Sequence, residues 1–137
     1  MKIIGFNFNK IIAQKNKGFK LGALTTNIEF IEIEKEKVEV IKDSDTLKMD
    51  FNFSILYKDS KEKNAKLQGE VTLQGALMVA VSKEESKSIL DAWKKKQVLE
   101  NIKKILINFI LKKCTVKTLS LQEELNLPSH IKLPRLG

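Results

Sequence analysis

A thiol becomes a nucleophile when a neighbouring base draws off its proton, so Cys114 and His130, the single cysteine and single histidine of 137 residues, are the first pair to weigh. Their settings argue against pairing. Cys114 closes the lysine-rich helical stretch "ILKKC", and His130 stands in a proline-flanked extended segment, "LPSHIKLP". A packed cysteine and a solvent-facing imidazole are the expected roles. Together they cannot close a zinc shell, and no CxxC or HExxH spacing supplies the missing ligands. Asp43 and Asp45 in "KDSDT" have the DxD spacing that sometimes binds divalent ions, but a turn ahead of a strand is the ordinary use of such a cluster. Gly69 and Gly75 flank a strand pattern instead of opening a helix, so they suit a close backbone approach or a bend and not a phosphate cradle. Lys94 to Lys96 close a helical stretch, where cations offset the negative end of the dipole. No catalytic residue, cofactor or metal follows from these groups, and the chain reads as non-enzymatic.

Charge narrows the partner classes. The formal net charge is +8, yet 24 of the 25 basic residues are lysine and only Arg135 is arginine. Lysine is a hydrated point charge that often serves solubility, whereas bidentate phosphate and base recognition favours the guanidinium fork. A lysine-rich nucleic-acid or ribosome-associated protein is therefore the alternative reading, with weak, sequence-blind retention expected. The basic residues are unevenly placed: residues 82 to 117 carry ten lysines and four acids, while residues 23 to 41 carry two lysines and five glutamates. A lone cysteine fits a reducing, cytoplasmic setting. The first ten residues lack a continuous apolar run, and "ALMVAV" at 76 to 81 is too short to span a bilayer, so no membrane insertion is expected.

The elements that would position these groups follow from periodicity. In "TLKMDFNFSILYK", Leu47, Met49, Phe51, Phe53, Ile55 and Tyr57 occupy every second position, which predicts a strand with one buried face. After the turn-rich "KDSKEKN", "AKLQGEVTL" repeats the alternation, so the two runs predict an antiparallel hairpin. Earlier strands are expected in "IIGFNFNKIIA" and "NIEFIEIE", where the apolar phase changes at Ile11 and at Ile31; a bulge or bend would return the side chains to one face. Beyond "ALMVAV" the period becomes helical. Ser82 and Glu85 form a capping box that opens a helix with Ile89, Leu90 and Trp93 on one face. A second helix in "VLENIKKILINFILKKC" carries the stripe Ile102, Ile105, Leu106, Phe109 and Ile110, and a short third turn is expected from Ser120, capped with Glu123, ending before Pro128. The prediction is a single α+β domain over residues 1–137: a four-stranded antiparallel sheet at roughly 3–75, C-terminal helices packed on one face at roughly 83–126, and an extended Pro-bearing tail at 127–137.

Strands first, "KLQGEVTLQG" as a Gly-containing fourth strand, "ENIKKILINFILKKC" as the main helix and then "LPSHIKLP" make a pattern that resembles the protein-export chaperone SecB and its archaeal relatives. The resemblance implies that the proline-bearing segment lies across the sheet and that Leu127, Pro128, Ile131, Leu133 and Pro134 line an apolar groove for unfolded or nascent polypeptide. It also implies a chaperone without catalysis, working as a homo-oligomer, dimer or tetramer. The sequence departs from bacterial SecB in its extra helix around Trp93 and in its basic charge. The acidic contact with the export ATPase is accordingly not carried over.

Overall fold

The computed structural model describes residues 1–37 and 43–134, so Arg135 lies outside the described residues. Four strands, β1 (Lys2–Lys15), β2 (Ala23–Lys35), β3 (Ser44–Lys58) and β4 (Leu67–Ser82), precede two helices, α1 (Lys83–Lys94) and α2 (Glu100–Leu125). The sheet is antiparallel with spatial order β1-β4-β3-β2, which leaves β1 and β2 as its edges. The architecture is the α+β arrangement expected from the strand and helix periods.

The hairpin of β3 and β4 forms the centre because both strands present unbroken apolar alternation. Phe53 pairs with Leu73, Ile55 with Val71, Met49 with Leu77 and Leu47 with Val79, so all these side chains share one face. Each is fully buried. Gly75 admits a close approach: a Cβ there would lie 2.2 Å from the Asn7 carbonyl oxygen and 2.9 Å from the Phe51 ring. The run "ALMVAV" does not follow the sheet but belongs to it, since β4 continues to Ser82, pairing with β1 as far as Ala80 and with β3 to its end.

The bulges fall close to where the apolar phase changes, with a different result. β2 slips by one residue between Phe30 and Glu32, and Ile33 returns to the core at 3% exposure while Ile31 is left 50% exposed. β1 slips between Ile3 and Gly5 and again between Phe8 and Lys10, after which Ile11, paired with Leu73, returns to the face of Phe6 and Phe8 as expected but stays 45% exposed on the edge strand. The extra residue of a bulge is the one displaced, and the residues beyond it regain the face.

Both helices cover the same side of the sheet, α1 against β2, β3 and β4, and α2 against β1 and β4. Ser82 caps α1 through both bonds of the capping box, with Ser86, Ile89 and Trp93 buried beneath it. α2 differs from expectation. It is one helix of 26 residues, with no separate turn at Ser120, and it ends at Asn126 in the left-handed conformation. Its buried line is Ile102, Leu106, Ile110, Cys114, Thr118 and Gln122, while Ile105 is 55% exposed. A spacing of four advances about 40° per step on a helix of 3.6 residues per turn, so the buried line winds around α2 as the helix crosses the sheet. That winding carries Ile105 away from the core and draws the polar Thr118 and Gln122 toward it.

Candidate functional site

Where the connection between α1 and α2 passes the outer strand, the helix side of the sheet is only partly covered. The chain leaves α1 through Lys96, whose φ of 56° makes the turn, and re-enters a helix at Glu100. Between this connection and the middle of β2 lies a groove of about 770 Å³ whose apolar walls are Ile28, Phe30 and Ile31 from the strand and Val98, Leu99 and Ile107 from the helical side. β2 is an edge, so one row of its backbone groups has no neighbouring strand among the described residues. Such a row can accept an added strand.

One end of the groove is organised around Trp93. Its indole N–H donates to Glu32 Oε1 at 2.9 Å, and Lys96 Nζ stands 4.7 Å from the ring centroid. The indole bond and the Ile33 amide hold the Glu32 carboxyl below its ordinary range. Trp93 is buried, as its helical spacing predicts, and it also forms part of the groove wall. Leu99 occupies the N-cap of α2 without a side-chain hydrogen bond, so this helix opens onto the groove with no polar cap. The charged side chains at the groove are Lys96 and Lys103 on the helical wall, Glu100 in the first turn of α2, and Glu29 on the strand.

The tail leaves α2 on the same side of the sheet, and a chain of polar contacts pins its first part. The Tyr57 hydroxyl donates to the Pro128 carbonyl at 2.5 Å, and the Tyr57 hydroxyl oxygen accepts from Gln122 Nε2 at 2.7 Å. His130 Nδ1 lies 3.3 Å from Gln122 Oε1, with its ring edge-on to Phe53 at 6.0 Å. Leu127 is buried against Gly69, where a Cβ would come within 3.2 Å of its Cδ2. Beyond His130 the tail turns outward: Ile131 is 41% exposed, Leu133 48%, and Pro134 is exposed. The structure thus places Leu127 in the core and Pro128 on the Tyr57 bond, while Ile131, Leu133 and Pro134 stand in solvent. None of the five lines the groove beside β2.

The chemical candidates separate. Cys114 is buried within α2, not at its end, and burial pushes its thiol up to about 12, so it stays protonated at neutral pH. His130 is not solvent-facing. It is half-buried, burial lowers its pKa, and its Nε2 is enclosed without a partner among the described residues. Asp45 pairs with Lys35 at 3.3 Å and Asp43 occupies the turn ahead of β3 with φ of 67°, so the DxD serves the entry to a strand. Among the described residues no three of His, Cys, Asp and Glu converge as a metal site, and no helix is long and apolar enough to cross a membrane. The groove residues escaped the sequence reading because they come from three separated segments. The one local trace is the phase change at Ile31, which marks where β2 turns a large aliphatic side chain out of the core.

Among solved structures, the chain is similar to a SecB-like chaperone of Mycobacterium tuberculosis in complex with a ChAD peptide from an antitoxin, at 14% identity and a TM-score of 0.47, with 99% of this chain and 90% of that one covered. No protein-family model matches the sequence, and no curated protein is matched by it.

Proposed function

We propose that this chain is a non-catalytic polypeptide-binding protein, a SecB-like chaperone that holds non-native segments by apolar burial. The observation that carries the reading is the groove beside β2, an apolar trough running along a sheet edge that has no strand paired to it among the described residues. An extended client placed there would gain backbone hydrogen bonds from the edge and side-chain burial from Phe30, Ile31 and Ile107, the combination used in strand-addition recognition. In this reading the tail residues Leu127, Pro128, Ile131, Leu133 and Pro134 form a second bank of the client surface. Leu127 and Pro128 anchor it, and Ile131, Leu133 and Pro134 supply exposed apolar contacts. Assembly as a cytoplasmic homo-oligomer would bring several such surfaces together, and light scattering would then give a mass above that of one chain.

The test is suppression of aggregation of a chemically denatured substrate. Replacing Ile31 and Ile107 with Ser should raise the concentration needed for holding by about tenfold, from the lost burial of two aliphatic side chains. Replacing Ile131 and Leu133 with Ser should weaken holding less, with a melting temperature lowered only slightly because both side chains are already exposed. Full holding by both double variants would remove the proposal. Unfolding of the tail variant with normal holding by its folded fraction would assign the tail to structure alone.

A further inference from the structure

The two edges of the sheet carry opposite charge. Residues 1–22, which hold β1, contain five lysines and no acid, whereas residues 23–36, which hold β2, contain four glutamates and one lysine. These charges are level with one another on the face turned away from the helices. Lys10 pairs with Gln74, Gln74 with Asn52 and Asn52 with Glu29, so one row crosses the sheet from an exposed lysine to an exposed glutamate. In its middle Gln74 Nε2 donates to Asn52 Oδ1 at 2.9 Å. A second row runs from Lys2 through Ala80 and Thr46 to Glu36, whose amide donates to the Thr46 carbonyl at 2.8 Å. None of Lys2, Lys10, Glu29 and Glu36 lies in an ion pair among the described residues. On the helix side the rows end on apolar side chains, with Ile11 level with Ile28 and Phe8 level with Phe30.

We infer that β1 of one copy joins the β2 edge of a second copy, antiparallel and without offset, so that the sheet runs on through a head-to-tail contact. Polarity allows it, because β1 and β2 run in opposite directions in the order β1-β4-β3-β2. The strands also match in length, 14 residues against 13. In this register Lys10 meets Glu29 and Lys2 meets Glu36 on one face, while Ile11, 45% exposed, covers half-buried Ile28 on the other. Lys96 and Lys103 belong to the helical wall of the groove, and Lys10 arrives on the opposite face of the sheet. Charge opposes the like-edge alternatives: β1 on β1 brings only lysines together, and β2 on β2 brings chiefly glutamates. The inference specifies the homo-oligomer of the proposed function and does not depend on client binding. A client strand and a second copy would contend for the same edge.

The experiment measures the mass of the full chain by light scattering and sedimentation at micromolar concentration and low salt. Species larger than a dimer are expected, in a proportion that rises with concentration, since each joined pair still leaves one β1 and one β2 free. Lys10→Glu and Glu29→Lys should each weaken association about tenfold, because an exposed attractive pair becomes repulsive, and the effect should shrink as salt rises. Mixing the two variants should restore assembly, because each finds on the other the opposite charge that it lacks on itself. A response to Lys10→Glu alone would assign a β1-to-β1 contact, and a response to Glu29→Lys alone a β2-to-β2 contact; either overturns the inference, as does assembly indifferent to both. A strict monomer overturns the inference and the homo-oligomer together, while suppression of aggregation by that monomer would still uphold polypeptide holding.

Discussion

The centre of the sheet and its β2 flank are built from the same kinds of residue and meet different fates. In β3 and β4 the inward side chains Leu47, Phe51, Phe53, Leu73 and Leu77 are at most 1% exposed, whereas in β2 Leu24, Ile28 and Phe30 are only half-buried and Ile31 is half exposed. Hydrophobicity does not separate them. What differs is the cover, because neighbouring strands and helices enclose the centre while the middle of β2 meets the short connection between α1 and α2. An apolar strand contributes to stability where a second layer closes over it, and becomes a binding surface where that layer stops.

The sharpest way to break this contrast is a matched pair of truncations. Phe51→Ala should cost about 3–5 kcal/mol in urea denaturation, because a closed site at 1% exposure cannot collapse around the lost ring. Ile31→Ala should cost under about 1 kcal/mol, as its side chain is already half in water. Similar losses at the two positions would mean that the flank is as structural as the centre.

A smaller effect is expected at the joint between sheet and tail. Tyr57→Phe removes the donor to the Pro128 carbonyl and the acceptor for Gln122 Nε2, and should cost about 1–3 kcal/mol, the range for leaving buried polar groups unpaired. Limited proteolysis should then cut after Lys132 sooner than in the parent chain. Unchanged protection would mean that Leu127 holds the tail by itself.

The smallest effect is a pH dependence with a defined sign. Burial lowers the His130 pKa in the folded protein, so below the ordinary histidine value of about 6.5 the unfolded chain takes up a proton that the folded tail resists. Stability should therefore fall as pH drops from 6.5 toward 5. Glu32, Asp45 and Glu85, whose pKa values are also lowered, lose their contribution only as pH falls through the carboxylate range, below that window. His130→Gln should flatten the melting temperature between pH 5 and 6.5. A slope that persists in the variant would place its origin elsewhere.

What the sequence determined by itself is the set of features written in local spacing. Alternation from Leu47 to Tyr57 specified a strand with one buried face, Ser82 with Glu85 specified the start of α1, and the phase change at Ile31 specified a break in β2. Each depends on residues a few positions apart, whose geometry is set by strand or helix period and by capping. Tertiary structure decided the rest. The spacing of α2 placed Ile105 inward, but the face that packs on the sheet follows steps of four from Ile102, which takes in Thr118 and Gln122 and leaves Ile105 outside. His130 read as a solvated loop residue until Gln122 and Phe53, from two other elements, enclosed it. The groove had no local signature because its walls come from β2, the connection and α2, and whether an apolar residue is core or surface depends on what distant chain covers it.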